Sequence, residues 1–493
     1  MRAHLACFAL LMLIAPLTAQ EANPPARERP AAAQTTERLK PLPPNATTQH
    51  RLGDMAFAAT AGTIRIFELQ QGTALADIGV LAFTREGTNA AERPVTFVFN
   101  GGPGYASAWL NLGALGPWRL RMDEAAAFPS AAPTLTDNAE SWLPFTDLVF
   151  IDPPATGYSR ILGGDDVRKR FFSVDGDIDV LAATIRRWIE ENHRTASPKY
   201  IAGESYGGFR APKIAHALQT DQGYGVAGLV MISPVLDFSR FNARNGLMDH
   251  VARLPVYVAA ARTLRGENVT RENLGEVEDY ARGAFLQDLM RGVKDTSALD
   301  RLSERVSTLT GLDRDLVRRH AGRIPSTLFL RELYRGEARI GSAYDATVSG
   351  FDPSPFSQSH GSDDQMRLGL HAPIVSAMVG LYRDKLNWSV EGARYAFMSE
   401  QASRQWDWGR GGAEAVSDLR QALALDPHLR VLIAHGLTDV VTPYLETQMV
   451  LDQMPDYGAP ERVRFMTYAG GHMFYSRDEA RKMFRDDARA LYR

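Results

Sequence analysis

Four short segments of this chain carry residue types that can do chemistry together. The first is Gly203-Glu204-Ser205-Tyr206-Gly207, a hydroxyl flanked by glycines. Small neighbours permit a turn tight enough to push that hydroxyl out at the top of a sheet, provided a strand enters the turn and a helix leaves it. A serine hydroxyl is a poor nucleophile until a base removes its proton, and the base needs an acid to fix its tautomer. In an elbow of this kind the chain order is Ser, then acid, then His. The second, made of two separate stretches, answers that need: His472 in Gly470-Gly471-His472 is the expected base, and Asp439 in His435-Gly436-Leu437-Thr438-Asp439 the expected acid. His435 ends a strand and could be the base only with an acid earlier in the chain. Asp452 and Asp456, the other candidate acids, fall where the pattern reads as helix and turn.

The third segment is Asn100-Gly101-Gly102-Pro103-Gly104, where glycines at a strand end let backbone N–H groups approach a ligand. Such a loop can donate one half of an oxyanion hole, with the Tyr206 N–H as the other half. A phosphate cradle would require a Gly-Lys-Ser/Thr ending or Gly-x-Gly-x-x-Gly spacing, and neither is here. The fourth, Asp152-Pro153-Pro154-Ala155-Thr156-Gly157-Tyr158-Ser159, is a rigid loop that serves as a structural turn or as a pocket wall.

Elements must hold these segments in place. Residues 63–69 and 78–84 read as a hairpin; 94–99, 146–151, 200–202, 226–233, 430–434 and 463–468 are short apolar runs of the kind found in strands covered on both faces. Residues 174–193 and 211–218 have helical periodicity. Short buried strands alternating with helices predict an α/β architecture, a mostly parallel central sheet flanked by helices. About 200 residues separate the strands near 230 and 432, far more than a crossover requires. Helical patterns at 254–264, 273–294, 299–308, 315–320 and 326–332, followed by a looser stretch at 341–364, predict a largely helical inserted cap over the sheet's carboxyl edge. A separate binding domain is the alternative reading. The expected division is 51–240 and 426–493 for the core and 241–425 for the insertion.

Residues 1–20 read as a secretory signal, with Arg2 and His4 ahead of an apolar stretch that falls short of the roughly 18 residues of a spanning helix. Export to the periplasm or the medium is expected, with no integral membrane segment after signal removal. Residues 21–50, rich in Pro and Ala, read as a disordered leader. Cys7 is the only cysteine among 493 residues and lies in the signal, so the mature chain has no thiol for disulfides, nucleophilic attack or metal ligation. No metal or other cofactor is called for. The formal charge of −3 is spread among interspersed acids and bases, which implies no nucleic-acid partner.

Together and in this order, Asn100 to Gly104, Asp152 to Ser159, Gly203 to Gly207, His435 to Asp439 and Gly470 to Met473 resemble the serine carboxypeptidase family, peptidase family S10, which has the α/β-hydrolase fold. Asn138-Ala139-Glu140-Ser141-Trp142 resembles the family's Asn-Pro-x-Ser-Trp segment, and Leu254-Pro255-x-Tyr257 is the one similar stretch in the insertion. The resemblance implies release of C-terminal residues from peptides with a free C-terminus by an acyl-enzyme route. Ser205 attacks, His472 moves the proton, Asp439 orients His472, Gly102 and Tyr206 hold the oxyanion, and Asn100 and Glu204 hydrogen-bond the terminal carboxylate. A Glu facing a carboxylate requires one of the two to hold a proton, which favours acidic pH. The sequence departs from the family pattern at Val98, where a Trp is usual, at Tyr105-Ala106-Ser107, where Cys-Ser-Ser is usual, and at Ala114, where a second Glu is expected. That last loss leaves open an esterase or acyltransferase on the same machinery, and a catalytically silent binding protein is the reading from another class.

Overall fold

Alternate residues of the central strands bury themselves on opposite sides of one sheet, and helices cover both sides. The computed structural model describes residues 41–68, 71–123, 127–241, 246–356, 364–410 and 412–492. Its main sheet contains β1 (Ala46–Leu52), β2 (Met55–Phe67), β3 (Ala74–Arg85), β4 (Val95–Phe99), β5 (Asp147–Ile151), β6 (Lys199–Glu204), β7 (Gly228–Ile232), β8 (Arg430–Gly436) and β9 (Val463–Tyr468). They lie in the order β1-β2-β3-β5-β4-β6-β7-β8-β9, and the short strand Arg160–Ile161 pairs with β3. β1, β2, β3 and β5 pair antiparallel in succession. From β5 onward every neighbour is parallel.

Val95, Phe97 and Phe99 of β4, Ile201 of β6 and Val431 and Ile433 of β8 point to one face. There they meet α1 (Val174–Glu191) through Leu181, Ile185 and Ile189, and α2 (Tyr206–Ala217) through Ala211 and Ile214. α1 starts where it does because the Ser173 side chain accepts from the Gly176 N–H, with Asp175 and Asp177 in the first turn favouring the positive end of the helix dipole. On the opposite face Thr96 Oγ1 lies 2.8 Å from the Tyr492 hydroxyl and the Tyr200 ring stacks on Tyr492. The helix Asp478–Leu491 closes this side, its Phe484 packed against Tyr468 and Trp142.

The expected leader extends too far. Residues 46–50 belong to β1, which pairs with β2 along its whole length. Its side chains alternate half-buried and exposed, so it carries few apolar residues and its sequence looks like a linker. The rest of the leader up to residue 40, the signal and Cys7 lie outside the described residues.

Between β7 and β8 the chain forms mainly helices, as expected, plus a small hairpin of Arg339–Gly341 and Ser349–Phe351. The helix expected over 273–294 is interrupted: Arg271–Tyr280 and Leu286–Arg291 flank a π-turn with non-helical Gly283. The insertion ends earlier than residue 425, because the helix Val416–Leu425 contributes Leu419, Ala422 and Leu423 to the core beneath the sheet. It is also no separate domain. Val251, Val256 and Phe329 share one apolar cluster with Leu437, Val440 and Tyr444 of the segment after β8, and Pro43–Arg493 is a single compact unit. Among the described residues no helix is long and apolar enough to cross a membrane.

Candidate active site

β6 ends at Glu204, α2 begins at Tyr206, and Ser205 makes the turn between them with φ 59° and ψ −120°. Such a backbone is strained for a non-glycine residue and persists only where its surroundings hold it. The Ser205 N–H donates to the Ile232 carbonyl at 2.8 Å, and the Ser205 carbonyl accepts from the Gly208 N–H at 2.9 Å. Position 203 must be glycine, because a Cβ there would lie 1.9 Å from the Gly207 carbonyl oxygen. The Tyr206 ring is buried against Phe209 and Trp406, so this residue offers the site only its backbone N–H, which as the first of α2 has no partner four residues back in the helix.

β4 pairs with β6 so that Phe99 stands opposite Gly203, and this register sets the Asn100 loop beside the elbow. Asn100 is held by its side chain and carbonyl at three points. Its Oδ1 accepts from the Leu110 N–H at 3.1 Å, its Nδ2 donates to Glu204 at 3.0 Å, and its backbone carbonyl accepts from Arg210 at 2.6 Å. Arg210 is itself fully buried and paired with Asp177 by two hydrogen bonds, of 2.6 and 3.2 Å. The Asp152 loop supports the same region from outside the cleft, with Asp152 accepting from the Ser107 N–H at 2.8 Å. Its role is structural; burial pushes its carboxyl up to about 7.

His472 and Asp439 meet across the ends of β9 and β8. The distance from His472 Nδ1 to Asp439 Oδ2 is 2.8 Å, and both side chains are almost wholly buried. Asp439 also accepts from the N–H groups of Val441 and Thr442 and from the Thr442 hydroxyl. The His472 backbone is fixed too: its N–H donates to the Tyr344 carbonyl at 2.5 Å and its carbonyl accepts from Ser233 Oγ at 2.8 Å. Burial pulls the imidazole's pKa down, but the charge and hydrogen bond of Asp439, with Glu204 and Asp364 further off, outweigh it and the net shift is upward. His435 is a packed histidine against Thr447 and Phe465, pushed down to about 4 by burial. Asp452 pairs with Arg282 at the surface, and Asp456 is exposed.

Glu204 is buried, and burial raises its carboxyl to about 7. Asn100 and the Tyr475 hydroxyl, at 3.0 and 2.6 Å, donate to the same oxygen, Oε2. Tyr475 was not anticipated from sequence. Its ring presses on the helical turn that carries Ala114: a Cβ on Gly113 would lie 2.7 Å from the ring's Cε2. Gly113, next to Ala114, thus leaves room for a phenol beside Glu204. Ser205 and His472 both line a cleft of about 350 Å³, with Asn100, Gly102, Glu204 and Arg367 on its walls. A larger hollow of about 730 Å³ lies among the insertion's helices, but Asp288–Arg301 and Glu304–Arg314 are already paired across its lining.

Residues 81–312 match the family model for serine carboxypeptidases. Over that segment, somewhat under half of its length, the chain is similar to the serine carboxypeptidases. Ser205, Glu204, Tyr206, Asn100 and Gly102 fall inside it, and Asp439 and His472 follow it in the chain. Among curated proteins, the pheromone-processing carboxypeptidase kex1 of Aspergillus niger is 35% identical over 136 residues, covering 26% of this chain and 19% of that protein. The pheromone-processing carboxypeptidase KEX1 of Yarrowia lipolytica is 30% identical over 190 residues, covering 38% and 27%. The chain spans between 19% and 34% of the length of the curated relatives it matches first. The crystal structure of Kex1(delta)p, a prohormone-processing carboxypeptidase from Saccharomyces cerevisiae, superposes with a TM-score of 0.57 at 15% identity, over 88% of this chain and 91% of that one. The shared fold is that of the α/β-hydrolases.

Proposed function

We propose that the protein is an exported serine-type carboxypeptidase that releases C-terminal residues from peptides. Ser205 Oγ attacks the scissile carbonyl while His472 Nε2 takes its proton; Asp439 holds the other ring nitrogen protonated and stabilises the imidazolium. The N–H groups of Gly102 and Tyr206 receive the oxyanion, and His472 then returns the proton to the leaving amine. Water, activated by the same imidazole, hydrolyses the acyl-enzyme. Asn100 and Glu204 bind the substrate's terminal carboxylate.

The observation that carries this reading is Glu204, a buried carboxyl raised to about 7 directly beside Ser205. A carboxyl that keeps its proton near neutrality can donate to a carboxylate instead of repelling it. With both Asn100 and Tyr475 donating to Oε2, Oε1 is left to carry that proton.

Blocked dipeptides with free and with amidated C-termini provide the test. The free acids should be cleaved far faster, and Ser205→Ala should lower the rate by on the order of a million-fold. Equal cleavage of acids and amides would overturn the carboxypeptidase reading. Ester hydrolysis without any peptide cleavage would instead favour an esterase or acyltransferase, a reading supported by the alanine at position 114.

A further inference from the structure

The carboxyl that lines the cleft, Glu204, is partnered by Asn100 and Tyr475, and Asp439 behind it by His472. Arg367 does not fit that scheme. It sits in the first turn of the inserted helix Gln365–Gly380, half-buried, and it is the only Lys or Arg among the described residues that line the cleft. The Asp364 carboxylate is committed elsewhere, accepting from Ser342 Oγ, the Ala343 N–H and the backbone N–H of Arg367 itself. The guanidinium interacts with the Tyr105 hydroxyl and feels the Asp364 charge, but among the described residues it forms no ion pair with a carboxylate. A partly desolvated cation that lines a binding cleft and is only partly compensated gains from a carboxylate that a ligand supplies.

The position of Arg367 says which part of a ligand it meets. It lies beside the Tyr105 and Tyr344 phenols. Tyr105 and Trp109 follow the Asn100 loop, and both pack on Phe397. One turn beyond Arg367 on its own helix, His371 packs on the same Phe397 ring. Arg367 therefore shares the cleft wall with Tyr105, Trp109, Asn100 and Glu204, and on the carboxypeptidase reading, in which Asn100 and Glu204 bind the terminal carboxylate, that is the wall nearest the leaving residue.

We propose that Arg367 is a specificity residue that selects substrates whose C-terminal residue has an acidic side chain, Asp or Glu, and that disfavours Lys and Arg at that position. The proposal rests on the carboxypeptidase reading for the direction of the peptide. A guanidinium forks onto a carboxylate through two parallel N–H···O bonds, which gives geometric as well as electrostatic selection. A charge-assisted contact of this kind in a half-buried cleft corresponds to about 10- to 100-fold in kcat/KM.

N-blocked dipeptides with one constant first residue and Glu, Gln or Lys in second place test this. The protein should prefer Glu to Gln by about tenfold or more and cleave Lys worst. Arg367→Gln should bring the Glu:Gln ratio to near one, and Arg367→Glu should place Lys ahead of Glu. An equal rate for Glu and Gln in the unaltered protein overturns the proposal. So does a fall of both by the same factor in Arg367→Gln, which would make Arg367 a holder of the terminal carboxylate or a piece of wall. A second arm needs no turnover: saturation-transfer NMR of free L-glutamate and L-glutamine with the Ser205→Ala protein. Tighter binding of glutamate, lost in Ser205→Ala/Arg367→Gln, supports the proposal even if no dipeptide is cleaved, in which case the carboxypeptidase reading fails and the acidic pocket stands. Equal binding of the two amino acids refutes the pocket.

Discussion

Glu204 and His472 share a site yet require opposite protonation states. In the proposed mechanism Glu204 holds a substrate carboxylate only while protonated, so cleavage of free-acid peptides should fall as pH rises through about 7. His472 acts as a base only while neutral, and its pKa lies above the usual 6.5, so the rate should also fall on the acid side. The two groups interact, and the limbs of the resulting bell belong to the pair. Ester substrates without a carboxylate should lose the alkaline limb and keep the acid one. Glu204→Gln, which donates at any pH, should remove the alkaline limb for peptides as well. Tyr475→Phe tests the unexpected partner. The Tyr475 hydrogen bond favours ionised Glu204, so its loss should move the alkaline limb to higher pH while the acid limb for esters stays in place. An unmoved alkaline limb would make Tyr475 a packing residue only.

At the scale of elements, the Asn100 loop is positioned by α1 and α2 jointly, through Asp177 on one helix and Arg210 on the other. Removing one member of a buried ion pair leaves an unpaired charge. Asp177→Asn should therefore cost about 3–5 kcal/mol in denaturant unfolding. Replacing the pair with apolar residues, Asp177→Leu with Arg210→Met, should recover most of that stability. It should not recover peptide cleavage, because the Asn100 carbonyl has then lost its donor and the loop its register. Recovery of both would show that the pair serves stability alone. What could be read from sequence divides along the same line. Period-2 and period-3.6 apolar patterns and the glycine turns locate β4 to β9, α1, α2 and the elbow, because local burial writes them locally. β1 escapes that reading since a half-buried strand needs no apolar run, and the break at Gly283 escapes it because a glycine in a helical pattern is compatible with either a continuous or a bent helix. The partners of the site residues escape for another reason. Tyr475 and Glu204 stand 271 positions apart and Arg210 and Asn100 110 apart, and no spacing rule links them. The assignment of His472 with Asp439 was legible only because the elbow prescribes an order along the chain.

For the whole molecule, the buried carboxyls couple folding to pH. Asp152 stands at about 7 against an ordinary 3.8, through burial that outweighs its hydrogen bonds from Ser107 and Tyr158. Its folded value is raised, so its contribution to stability is complete at low pH and is lost as pH rises toward 7. From pH 5 to pH 8 this amounts to about 2–3 kcal/mol. Denaturant unfolding of the wild type should weaken over that interval by about that much more than Asp152→Asn, and parallel pH profiles for the two proteins would refute the assignment.

The hydrogen bond from the His472 N–H to the Tyr344 carbonyl has a consequence for how such a molecule can diversify. Tyr344 belongs to the insertion and His472 to the scaffold, so the residues that shape the pocket also hold the proposed base. A graft of another insertion onto this sheet would change the pocket and, unless it brought a carbonyl to the same spot, would set the imidazole adrift. Variation in the proposed substrate choice is therefore expected to proceed by side-chain replacement on a retained backbone, at positions such as 367, and not by exchange of the segment as a module.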